Sequence, residues 1–154
     1  MVFRKILVYL GLITLPHLSW ANDVHEYHLK NGLSLLVKED HRAPVVIAEI
    51  WYKVGSSYEP RGITGISHAL EHMMFRGTEK FAPGELEKKV AVNGGEQNAF
   101  TDSDFTAYYQ KFSADKLAIS FELEADRMRN LLLRSQDFAK EIQVVMEERR
   151  MRVD

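Results

Sequence analysis

The chain has 154 residues, 45% of them hydrophobic and 27% charged, with 20 basic residues against 22 acidic and no cysteine. That length and balance describe one globular domain able to bury a core, and exclude a disordered, collagen-like or repeat protein. A net charge of −2 argues against nucleic acid as a partner, and the missing cysteine excludes disulfides, thiolate metal sites and a cysteine nucleophile. Any bound metal must be held by histidine and carboxylate.

Residues 1–21 read as a secretory signal. Arg4 and Lys5 precede the apolar run Ile6–Leu15, and Ser19-Trp20-Ala21 offers small residues for cleavage before Asn22. The run is too short for a stable membrane span; an uncleaved interfacial anchor or a buried strand is the alternative. The expectation is an exported protein, periplasmic or secreted, with residues 22–154 as its mature part.

Asn31-Gly32, between Glu26–Lys30 and Leu33–Val37, predicts a β-hairpin. Val45–Val54 is β-branched and aromatic, as expected of a strand buried on both faces. The glycine-rich stretch Gly55–Gly65 predicts a loop, and Ile66–Phe75 a helix. Pro83 introduces a second helix, Gly84–Val92, which Asn93-Gly94-Gly95 ends. Glu96–Thr101 and Phe105–Lys111 predict two further strands. Ser113 is a candidate cap for a long helix whose stripe Leu117, Phe121, Ala125, Met128 and Leu132 should face a core. Asp137 is a candidate cap for a last helix that runs to the end of the sequence. The order β-β-β-α-α-β-β-α-α predicts an α+β fold, an antiparallel sheet covered on one face by helices. The stop in mid-helix suggests a domain incomplete at its C-terminus.

The segment that carries chemistry is His68-Ala69-Leu70-Glu71-His72. On a helix the two histidines are one turn apart and about 40° round the axis, so their imidazoles can meet one cation. Glu71 projects beside that cation and can take a proton from water without being a ligand. The order His-x-x-Glu-His is the inverted zincin motif; a pair of surface histidines is the bland alternative. Zinc needs a third protein ligand and an open position. In the last helix Glu141, Val144, Val145 and Glu148 share the face expected to be buried, where an unpaired carboxylate must neutralise, pair or bind a cation. Ion pairing with arginines of the preceding helix is the alternative for both glutamates. Glu147, among Arg149, Arg150 and Arg152, reads as solvated.

These residues resemble the pitrilysin/insulinase zinc metallopeptidases. The likeness runs from Leu29–Leu33 to Met151 and includes His68–His72 with Met73–Thr78, Asn93-Gly94-Gly95 with Asn98–Thr101, and Glu141 with Val144–Glu148. It implies zinc held by His68, His72 and Glu148, with Glu71 as general base. It further implies that Glu141 supports the site by accepting a ring N–H from a ligand histidine. Asn98 and Ala99 match a strand that pairs with substrate backbone; read alone, Asn98 could be an ordinary turn or edge residue. The implied activity is a metalloendopeptidase that hydrolyses internal bonds of an extended peptide or small protein with zinc-activated water. The resemblance also implies a second homologous domain or partner subunit to close the site. On this reading residues 22–154 are the N-terminal part of the catalytic domain. Two alternatives accompany it: a non-catalytic peptide-binding or partner subunit of the same fold, and an inactive fragment that binds zinc. A purely structural zinc site would need a fourth protein ligand. His25, His28 and His41 carry no assignment.

Overall fold

The computed structural model describes residues 24–153, so the expected signal lies outside the described residues. Two compact units divide between Ala43 and Pro44. The first contains an antiparallel hairpin of β1 (Val24–His28) and β2 (Ser34–Lys38), in register from Val24 opposite Lys38 to His28 opposite Ser34. Asn31-Gly32 turns the chain as expected, within a longer connection than a two-residue loop. Gly32 has φ +89°, and Asn31 Oδ1 accepts the Leu33 N–H.

The second unit holds a three-stranded antiparallel sheet in the order β3 (Val45–Tyr52), β5 (Thr106–Ser113), β4 (Glu96–Thr101). Four helices accompany it: α1 (Ile66–Met73), α2 (Glu85–Val92), α3 (Leu117–Asn130) and α4 (Ser135–Val153). α1 and α2 pack on β4, α3 on β3 and β5, and α4 on α1. The core joins Leu86 and Val90 of α2, Phe112 of β5 and Leu123 of α3. This is the α+β arrangement that the element order predicts. Among the described residues no helix is long and apolar enough to cross a membrane.

Three local expectations need correction. β3 is not buried on both faces: its residues alternate, and Ile47 and Trp51 are exposed among the described residues. Trp51 meets Phe100 and Phe105 on that outer face, with ring centroids 5.9 and 4.7 Å away. The stripe expected to bury α3 is largely solvent-facing, with Phe121 at 56% and Met128 at 45% exposure. The helix instead buries Ser120, Leu123, Glu124 and Arg127. Glu124 and Arg127 form an ion pair there, Gln110 donates to the Glu124 carboxylate, and the Arg127 guanidinium stacks on Tyr108 and Phe75. The ion pair, with the Gln110 bond, lets Glu124 and Arg127 occupy the interior, although Gln110 Oε1 and Ser120 Oγ have no hydrogen-bond partner among the described residues. Third, α4 buries Glu141 and Val145 but leaves Val144 exposed, because its partner α1 is a single short helix that covers a narrow stripe.

Smaller differences lie at element ends. Ser113 precedes a short 3-10 turn, Ala114–Lys116, before α3 begins, and α4 starts at Ser135, with Asp137 in its first turn. α1 stops at Met73 and α2 starts at Glu85.

Candidate metal centre

α1 presents the motif. Its N-cap, Gly65, has φ +95° and no side chain to cap the helix. Glu59 fills that role from the preceding loop, accepting the N–H groups of Gly65 at 2.7 Å and Ser67 at 2.9 Å. Partial burial pushes the Glu59 carboxyl up, but these donated bonds outweigh it and hold the group below its usual value.

His68 and His72 lie on one face of α1, ring centroids 4.8 Å apart. Glu148 reaches them from α4: its carboxylate oxygens stand 3.3 Å from His68 Nε2 and 3.6 Å from His72 Nε2. One ligand atom from each of the three lies within 4.8 Å of the others. Two ligands about 2.1 Å from a tetrahedral ion stand roughly 3.4 Å apart; the two Glu148 oxygen–histidine distances are close to that, and the trio could hold a metal ion. Two nitrogens and a carboxylate also suit zinc. Glu147, one residue earlier, pairs with Arg150 in solvent at 2.9 Å.

Behind the trio, Glu141 Oε2 lies 3.1 Å from His72 Nδ1. Its Oε1 lies 2.8 Å from Arg76 Nε, near enough for an ion pair although misaligned for a hydrogen bond. Neither Glu141 nor Glu148 pairs with an arginine of α3 among the described residues. That leaves His72 Nε2 turned toward Glu148 and Nδ1 turned toward Glu141, an orientation that selects the Nδ1–H tautomer when Nε2 is a ligand.

Glu71 is buried between α1 and β4, where Thr101 Oγ1 donates to its Oε2 at 2.5 Å. Burial of the ring, and next the same carboxylate, push the Tyr108 hydroxyl well above its usual range. Two cavities flank the motif and share His68, Glu71, Ala99 and Arg152. One, of about 470 Å³, also reaches His72, Asn98 and Glu148. The other, of about 350 Å³, runs along Ala99–Ser103. β4 is the edge of its sheet among the described residues. Gln97, Ala99 and Thr101 turn toward the helices, and Asn98 turns outward, its Oδ1 accepting the N–H of Ala99 at 2.9 Å.

Sequence reasoning missed Glu59, Arg76 and Thr101 as parts of this site. Thr101 was open to inference, because strand alternation puts it on the same face as Ala99. Glu59 and Arg76 act across loops, where no periodicity marks them.

A one-helix histidine pair beside a glutamate from a second helix, on a sheet covered by helices, is the arrangement that carries the inverted zincin motif here. The model of the insulinase family (peptidase family M16) matches residues 34–154, and the chain belongs to that family. It is 43% identical over 127 residues to the zinc protease PqqE of Helicobacter pylori, covering 82% of this chain and 29% of that protein. It is 33% identical over 120 residues to cytochrome b-c1 complex subunit 1 of Bos taurus, covering 78% of this chain and 25% of that one. The crystal structure of a protease from Helicobacter pylori superposes with a TM-score of 0.80 at 40% identity, over 85% of this chain and 32% of that one. The chain therefore spans about a third or less of these relatives.

Proposed function

We propose that this chain supplies the metal-binding and proton-transferring part of a zinc metalloendopeptidase acting on internal bonds of extended peptides. The observation that carries the reading is the convergence of His68, His72 and Glu148 at zinc spacing, with Glu71 beside them and open cavities in front. His68, His72 and Glu148 would hold the zinc, which would supply Lewis-acid chemistry for a water and for a carbonyl oxygen. Glu71 accepts the proton released by the attacking water and returns it to the leaving amine. Glu141 fixes the His72 ring so that its Nε2 stays available. The β4 edge offers main-chain groups to an extended substrate once Asn98 releases the Ala99 N–H, and the two cavities receive side chains on either side of the reacting bond. A second homologous domain or partner subunit closes the cleft over the substrate. Residues 1–21 export the protein to the periplasm or beyond.

A second reading is a non-catalytic subunit of the same fold, favoured by a relative named for its place in the cytochrome b-c1 complex rather than for proteolysis. Retention of the whole His-x-x-Glu-His motif speaks for catalysis. Zinc content and peptide cleavage separate the two. We expect about one zinc per chain, lost in His72→Ala, and a Glu71→Gln variant that keeps zinc while cleavage falls at least ~10²-fold. Zinc uptake without any cleavage by the assembled wild-type protein would favour the subunit reading.

A further inference from the structure

We infer that Thr101 is a positioning residue for the base, holding Glu71 in one orientation through its hydroxyl. The inference rests on the proposed peptidase reading and adds a residue to it. Thr101 closes β4, opposite Thr106 of β5, and the chain turns tightly between them, with Asp102 N–H donating to Phe105 O at 2.9 Å. That turn is strapped from outside. Ser56 and Ser57 donate their N–H groups to the carbonyls of Asp102 and Ser103 at 3.1 and 2.8 Å. Gly55 is buried against the same turn, and a Cβ added there would lie 2.2 Å from the Asp102 carbonyl oxygen. Backbone contacts on two sides thus hold the turn that Thr101 enters from β4.

The direction of the hydrogen bond follows from the neighbours. Thr106 Oγ1 gives its proton to the Val54 carbonyl at 2.9 Å and stands 3.5 Å from Thr101 Oγ1. An ionised Glu71 can only accept, so the Thr101 hydroxyl donates to Oε2 at 2.5 Å. Among the described residues Glu71 Oε1 accepts no hydrogen bond. One carboxylate oxygen is anchored and the other is left for water. A base that swings loses rate steeply with small displacements, and one charge-assisted bond from a strand end opposes that swing. The bond also disfavours a collapse of Glu71 onto the metal position as an extra ligand.

The test uses the zinc-loaded chain and acetohydroxamic acid, a metal-directed acid whose proton passes to the base. Zinc stoichiometry and acetohydroxamate affinity are measured for wild type, Thr101→Val, Thr101→Ser, Glu71→Gln and the Thr101→Val/Glu71→Gln double variant. Thr101→Val should keep its zinc but weaken binding about 10- to 100-fold, the scale of one hydrogen bond to a charged group. Thr101→Ser, which restores the hydroxyl, should bind as wild type does. In the Glu71→Gln background Thr101→Val should add no further loss. In peptide cleavage by the assembled protein the loss should fall on kcat with KM unchanged. Full affinity in Thr101→Val, an undiminished loss in the Glu71→Gln background, or failure of serine to rescue would overturn the positioning role. A wild-type chain that takes up no zinc, or a Glu71→Gln variant that binds acetohydroxamate undiminished, would instead remove the peptidase reading, and this inference with it.

Discussion

Glu141 and His72 are joined at 3.1 Å across 69 residues of sequence, and the carboxylate in that contact is only 5% exposed. A buried acid on an imidazole that itself faces a metal position orients the ring and strengthens its free nitrogen as a ligand. Arg76 holds the other carboxylate oxygen, so the ring is braced from α4 and from the segment after α1 together. Glu141→Ala should lower zinc affinity about 10- to 100-fold while leaving one zinc per chain at saturation. Competition against a chelator of known affinity measures it, and an unchanged constant would remove the bracing role.

On the proposed reading, the phase of α4 decides the third ligand. Glu148 meets both histidines and Glu147 pairs with Arg150 in solvent. Replacing Glu148 by alanine leaves two ligands and should release zinc to a chelator far faster than wild type. Glu147→Ala loses only an exposed ion pair of about 0–1 kcal/mol and should retain zinc normally. The reverse order would mean that α4 is rotated in solution.

The candidate site rests on local information. The pairing of His68 with His72 needs only helical spacing, and the sequence separates Glu148 from Glu147 by the stripe Glu141, Val144, Val145 and Glu148 and by the family likeness, although of the two valines only Val145 is buried. The face of α3 was not legible. Periodicity counts Glu124 and Arg127 as solvent-facing, yet they satisfy one another inside, and Phe121 and Met128 are left outward. Strand β3 misled for a related reason: a run rich in Val, Ile and Trp does not reveal how many faces of its sheet are covered. Glu59 capping α1 and Thr101 gripping Glu71 depend on tertiary approach, which no spacing in the chain encodes.

The buried Glu124–Arg127 pair makes its own prediction. Burial pushes the Glu124 carboxyl up and Arg127 pulls it back, so removing Arg127 alone strands an acid in the interior. Arg127→Met should destabilise the fold by about 3–5 kcal/mol, the usual cost of an orphaned buried partner. Adding Glu124→Leu should recover much of that loss, since the pair's net worth is far smaller than the cost of halving it. Urea denaturation of both variants is the check. A double variant no more stable than Arg127→Met would show that Arg127 acts mainly by stacking on Tyr108 and Phe75.

A second carboxylate carries a pH signature of known sign. Glu122 on α3 accepts hydrogen bonds from Lys80 and from Lys89 of α2, the latter at 2.7 Å, and these hold its carboxyl down at about 2 instead of 4.5. The folded chain therefore binds this proton less tightly than the unfolded chain does. The stability it contributes is complete above pH 4.5 and is lost as pH falls toward 2. Glu122→Gln should be less stable than wild type at neutral pH, and the gap should close over that acid window. Because the carboxylate is solvent-exposed, added salt should shrink the neutral-pH gap as well. Urea midpoints for the two proteins across pH 2–7, at low and high salt, read both effects, and a gap that widens on acidification would contradict the assigned pairing.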